Sequence, residues 1–348
     1  MKGILSSIQD FFSAPELIPA GVYPYQTPPS ADRQYRLHLR VEKDGSGLLI
    51  INAATVLHLN QTAAEYAYHI IQETSLQEVV ERISSRYRIQ ARQVEQDFKD
   101  FQDKIHTMIQ EPDVDPVHFL NIDRKKPYQG TPSAPYRIDL ALTYQLREGS
   151  NPDLAPRRRV DRELTTGEWQ QILDKSWLAG VPHVTFTGGE PTTREDLIDL
   201  IKYAEKKGQV TGLLSDGLSL LDADFRQNML LSGLDHLLFV LSPRQPSSWE
   251  ALEAILAEDL HTTVHLTIHP DMVPDIPALL TRLSEMEANA LSLSLSQPGN
   301  QVLQDALHAG RTQAAELSLP LKWDLPVPYS VHNPVQLELE EEDISRGA

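Results

Sequence analysis

The sequence predicts an α/β fold in which six strand-and-helix pairs follow a small α+β unit. Three observations carry that prediction. Short apolar runs alternate with amphipathic, helix-length runs through residues 135–325. Residues 35–110 instead read as a hairpin followed by three helical patterns. Between them, 111–134 mixes prolines with polar residues and holds no sustained period, as a connector does.

Taken in order, 1–34 is an N-terminal segment without a strong pattern. In 35–110, YRLHLRV and GLLIINAA are strand-like, and the KDGSG between them supplies glycines for a hairpin turn. LNQTAAEYAYHIIQE then repeats Ala64, Tyr66, Ala67, Ile70 and Ile71 at helical spacing, with Thr62 as the expected cap. TSLQEVVERISSRY sets Leu76, Val79, Val80 and Ile83 on one face. VEQDFKDFQDKIHTMI does the same with Val94, Phe98, Phe101 and Ile105. Two strands under three helices leave at least one sheet edge unpaired.

Beyond the connector, YRIDLALTY precedes a helix whose Thr165 and Glu168 have capping-box spacing. Five more pairs follow, from HVTFT and its helix to LSLSLS and its helix. A parallel sheet covered by helices results, as an open sheet or a partly closed barrel. In both, ligands sit at the C-terminal strand ends. The tail, 326–348, ends in QLELEEEDISRGA, a solvated acidic terminus.

Composition narrows the function classes. The 348 residues allow about two domains at roughly 150 residues each. Thirty-one Lys and Arg against 49 Asp and Glu give a net charge of −18, which argues against nucleic acid as a partner. No run reaches the roughly 18 apolar residues of a spanning helix, and the opening MKGILSSIQDFFSAPELIPAG has too short an apolar run for a signal peptide. A cytoplasmic protein without membrane contact is expected. The chain has no cysteine, which removes disulfides, thiolate nucleophiles and cysteine-held zinc or iron–sulfur centres from its own chemistry.

The strongest local signal is TFTGGEPTTREDL. Gly188 and Gly189 allow a sharp turn that presents amide groups to a ligand, and Glu190 offers a carboxylate to an ammonium group, with Pro191 leading onward. An ordinary βα turn is the alternative reading. Asp216, in LLSDG, ends the next strand and forms with Glu190 either an acid–base pair or, more simply, two turn-organising carboxylates. In PRRRVDRE, Arg157, Arg158, Arg159 and Arg162 form either an anion grip or a solvated basic segment. His261, His265 and His269 are spaced too widely along an extended strand for one metal ion. Trp169 and Trp177 suit helix-to-sheet packing.

From Tyr136 to Leu325 these motifs, in this order, resemble the core domain of the radical S-adenosylmethionine (SAM) superfamily, with GGEP ending the second strand, LLSDG the third and TIHPDMVPDIPALL following the fifth. The resemblance implies a partial (β/α)6 TIM-like barrel. It also implies a cofactor-binding set of Gly188, Gly189, Glu190, Pro191 and Asp216, with Ser242 in VLSP near the ribose. In that family a CxxxCxxC loop after the first strand holds a [4Fe–4S] cluster. Here TYQLREGSNPD puts Leu146, Ser150 and Asp153 in those places, none of them a thiolate. The resemblance therefore implies a barrel without radical chemistry, with SAM binding lacking a cluster as a separate question.

VLHLNQTAAEYAYHII and its sequel resemble the PqqD-like peptide-recognition domains, which are small, winged-helix-like and often bind a ribosomally synthesised peptide by strand addition. Together the resemblances imply a noncatalytic protein that binds a peptide or small ligand, or assists a partner enzyme. An enzyme with a partner-supplied cluster or cluster-independent use of SAM is the alternative.

Overall fold

The computed structural model describes residues 18–28, 30–52, 55–111, 133–148, 161–297 and 299–322. These form two compact units, one of residues up to Pro135 with Ser176–Pro182, the other of Tyr136–Lys175 with residues from His183 onward.

The first unit holds four antiparallel strands where the sequence suggests two. In sheet order they are β1 (Gly21–Gln26), β2 (Arg36–Val41), β3 (Gly47–Ile51) and β4 (Thr55–Leu59). Helices α1 (Gln61–Ile71), α2 (Leu76–Tyr87) and α3 (Ala91–Gln110) follow. The expected segment 1–34 thus contributes an edge strand. GVYPYQ is hidden from pattern reading by its proline, and TVLHL by running directly into a helix. Because β4 ends at Leu59, the helix begins earlier than Thr62. Its cap is Asn60, whose side chain accepts from the Ala63 amide at 2.9 Å.

One sheet face, with Leu37, Leu39, Leu49, Ile51 and Leu57, packs on Ala64, Ala67, Ile71, Ile105 and Met108. His38 and Arg40 lie on the other face and are also buried. Arg40 donates to the carbonyls of Ala134 (3.0 Å) and Gly180 (3.2 Å) and pairs with Glu42 at 2.9 Å. A buried guanidinium is tolerated there because its donors are matched. The ring of Trp177 meets His38 edge-on at 5.2 Å.

The second unit carries a six-stranded parallel sheet. Strands β5 (Arg137–Thr143), β6 (His183–Gly188), β7 (Val210–Ser215), β8 (His236–Val240), β9 (His261–Ile268) and β10 (Ala290–Leu295) lie side by side in chain order. The helices alternating with them are α4 (Thr166–Leu178), α5 (Leu197–Lys206), α6 (Ala223–Leu230), α7 (Pro246–Leu256), α8 (Ile276–Glu285) and α9 (Gln301–Glu316). The predicted capping box opens α4: Thr165 N donates to Glu168 at 2.9 Å, and Glu168 N to Thr165 Oγ1 at 3.4 Å. Residues 320–322 extend the sheet beyond β10 through a parallel bridge, Leu291 to Leu321.

Alternate strand positions face the helices. Leu140, Val184, Phe186, Leu213, Phe239, Val264 and Leu291 join Trp169, Leu173, Leu200 and Leu252 in one large core. The opposite positions form the other face of the sheet. No helix of the described residues is long and apolar enough to cross a membrane.

Candidate functional site

At the C-terminal strand ends the GGEP turn is held by its own chain. The Gly189 amide donates to Thr143 O and the Glu190 amide to Gln145 O, both at 2.7 Å. The loop after β5 presses so closely on this turn that a Cβ on Gly189 would overlap the Gln145 carbonyl, which is why glycine stands there. The sequence suggested amides presented to a ligand. In the structure these two are taken up by the neighbouring strand end.

Glu190 is fully buried. Its Oε1 accepts from Thr192 N (3.0 Å), Thr192 Oγ1 (2.6 Å) and Ser215 Oγ (2.8 Å), and its Oε2 from Asp216 N (2.8 Å). Four donors fill most of the acceptor capacity of a carboxylate. Burial, and then the Asp216 carboxylate, push the Glu190 pKa upward, while these hydrogen bonds oppose the rise. Asp216 caps its own turn, its Oδ1 accepting from Leu218 N at 3.0 Å. Both carboxylates thus accept from backbone amides of the turn after β7. Pro191 opens a short 3-10 turn over Pro191–Thr193. The amide of Ser242, at the end of β8, receives Ser248 Oγ as acceptor at 3.1 Å.

A polar chain runs outward from Glu190. Thr192 Oγ1 and Ser219 Oγ are 2.6 Å apart, and Arg147 donates to Ser219. Beside Arg147, Leu146 packs on Leu214 of β7 and on Leu238 and Val240 of β8, on the face away from the large core. An apolar plug occupies the place the resemblance gives to the first cluster ligand. Ser150, Asp153, Arg157, Arg158 and Arg159 lie outside the described residues. Arg162 is engaged by Glu168 through two contacts at 2.6 and 2.8 Å. With Leu146 as its sole described counterpart of a ligand and no cysteine in the chain, the site does not fit a [4Fe–4S] cluster.

Sequence reasoning missed two buried polar groupings on the same sheet face. His265 bridges Ser292 Oγ (Nδ1, 3.0 Å) and Ser294 Oγ (Nε2, 3.0 Å), and burial lowers its pKa to about 4. The alternation in LSLSLS is the signal that would have found it. Nearer the strand starts, His183 and His236 approach Nε2 to Nε2 at 3.3 Å. Gly212 makes this contact feasible, because the His236 ring lies where a Cβ would stand. Burial, together with neighbouring cationic groups including Arg137, lowers these imidazoles to about 3 and about 4. Among the described residues no three His, Asp or Glu side chains form a metal-holding group, and His261, His265 and His269 do not converge.

Comparison with known proteins follows this geometry. No family model matches the chain. It is 28% identical over 166 residues to the PqqA peptide cyclase of Methylobacterium sp. (strain 4-46), covering 42% of this chain and 42% of that protein. It is 27% identical over 161 residues to the PqqA peptide cyclase of Streptomyces rochei, covering 42% of this chain and 43% of the relative. The matched region thus spans less than half the length of these relatives. Among solved structures, Streptococcus suis SuiB bound to precursor peptide SuiA gives a TM-score of 0.54 at 12% identity, covering 81% of this chain and 70% of SuiB. SuiB bound to S-adenosylmethionine also gives 0.54, at 13% identity, with 83% and 72% covered. The fold is shared with SuiB. These similarities support a radical SAM-type domain.

Proposed function

We propose that this chain is a noncatalytic, radical SAM-like protein that binds a peptide and serves a peptide-modifying system. The carrying observation is Leu146, seated on Leu214, Leu238 and Val240 where a cluster-bearing relative would place a thiolate, in a chain with no cysteine. Reductive cleavage of SAM requires the cluster, so the barrel serves as a scaffold. The GGEP turn supports that reading: its Gly189 and Glu190 amides and the Glu190 carboxylate tie strand ends together. Residues 35–110 act as the peptide-recognition domain, and 135–325 as the barrel. The relatives named peptide cyclases and the SuiB complex with its precursor peptide support a peptide as the partner class.

The test is anaerobic reconstitution of the purified chain with iron and sulfide. Mössbauer and UV-visible spectra should show no stoichiometric cubane cluster. Near-unit cluster occupancy in the isolated chain would overturn the reading, and a cluster formed only with a cysteine-bearing partner protein would favour an enzyme assembled from two chains.

A further inference from the structure

The sheet of the first unit ends at β4 on one side and at β1 on the other, and β1 covers the edge of β2 with a segment of this chain. β1 pairs antiparallel with β2 from Gly21↔Val41 to Gln26↔Arg36. Thr27 N donates to Tyr35 O at 3.1 Å, which fixes the alternation: Tyr25 and Tyr23 exchange ladder bonds with Leu37 and Leu39, while Val22, Pro24 and Gln26 turn their backbone groups outward. Pro24 therefore costs β1 no bond to β2, but leaves a missing donor in the middle of its outer edge. A further strand would pair poorly there, so a peptide that joins the sheet on this side takes the place of β1.

β1 holds that place through few anchors. Its residues are half-buried or exposed, whereas all of β3 and all but the first residue of β2 are buried. Tyr23 meets Tyr68 edge-on at 4.9 Å, Tyr25 lies over Tyr35 at 5.6 Å, and the Tyr25 hydroxyl donates to Glu73 at 3.2 Å. Beside Tyr25 a cavity of about 450 Å³ stays open, walled by Tyr35, Leu37, Ile70, Glu73 and Phe98. Among the described residues, Tyr-Pro-Tyr fills the edge, and Tyr25 lines one side of the adjoining cavity.

We propose that β1 is an exchangeable, built-in occupant of the β2 edge, and that the site takes an extended peptide with large aromatic or apolar residues at alternate positions. This rests on the peptide-binding reading and adds its regulation: the chain competes with its own partner. The Tyr23 and Tyr25 spacing gives the partner's pattern, and the cavity favours bulkier side chains at the second position.

Since the chain has no cysteine, Gln26→Cys with Arg36→Cys in the full chain can lock β1 selectively, at a pair that does not exchange ladder bonds. The probe is a fluorescein-labelled synthetic peptide of residues 18–28, read by anisotropy. The reduced double variant should bind it, disulfide closure should weaken binding by at least about tenfold, and reductant should restore it. A probe with both tyrosines replaced by alanine should not bind. Equal binding with the disulfide open and closed would overturn exchange. So would no binding by the reduced protein up to about 1 mM. Cluster reconstitution is independent of this result, so the scaffold reading and the exchange reading can fail separately.

Discussion

At the residue scale, Glu190 gathers Thr192, Ser215 and Asp216 around one buried carboxylate. Gln in its place meets a donor with its amide NH2 in either orientation, because both oxygens now accept. Glu190→Gln should therefore lower the unfolding free energy by about 1–3 kcal/mol in urea denaturation, despite relieving a buried charge. Unchanged stability would show that the carboxylate is not the fastener of these turns. Gly212→Ala tests the histidine contact. The new methyl would displace the His236 ring from β7 and separate it from His183, at a cost of about 1–3 kcal/mol as in other overpacked cores. A crystal structure of the variant should show the two rings apart, and an unmoved ring with unchanged stability would refute the argument.

Among the elements, β9 and β10 carry a neutral imidazole between two hydroxyls. The folded His265 pKa of about 4 lies below its usual 6.5, so the unfolded chain binds more protons between those values. Its contribution to stability is complete above about pH 6.5 and is lost as pH falls toward 4, with no further change below. That loss is on the order of 3 kcal/mol. Chemical denaturation of wild type and His265→Gln at pH 7 and pH 4.5 should show a shallower acid loss in the variant. Parallel pH profiles would place His265 outside the acid response. Elements also differ in how openly the sequence announces them. The strands of the parallel sheet and the capping box of α4 were readable because apolar side chains and capping oxygens act over a few residues. β1 and β4 were not: the central proline of β1 and the direct run of β4 into a helix mask a short strand whose place comes from its partner, β2 or β3.

On the scale of the whole molecule, the second unit is held by one apolar core from Leu140 to Leu319, and the first by the packing of Leu39, Leu49 and Ile51 on α1 and α3. Among the described residues, neither core includes residues 144–148, at the start of the loop after β5. The protein should melt at the same temperature before and after EDTA treatment. A cooperative fall of more than about 5 °C would show an ion contributing to the fold.

The sequence by itself determined the alternation of strands and helices, the absence of thiolate chemistry and the location of the GGEP turn. Each follows from residue identity or from a period of a few residues. Only the tertiary structure decided what those groups face. That Glu190 looks inward to Ser215 and Asp216, that Leu146 closes over Leu238, and that Tyr25 occupies the β2 edge all depend on pairings between distant segments. The free energy of those pairings comes from burial and hydrogen-bond matching across strands, which no local spacing encodes.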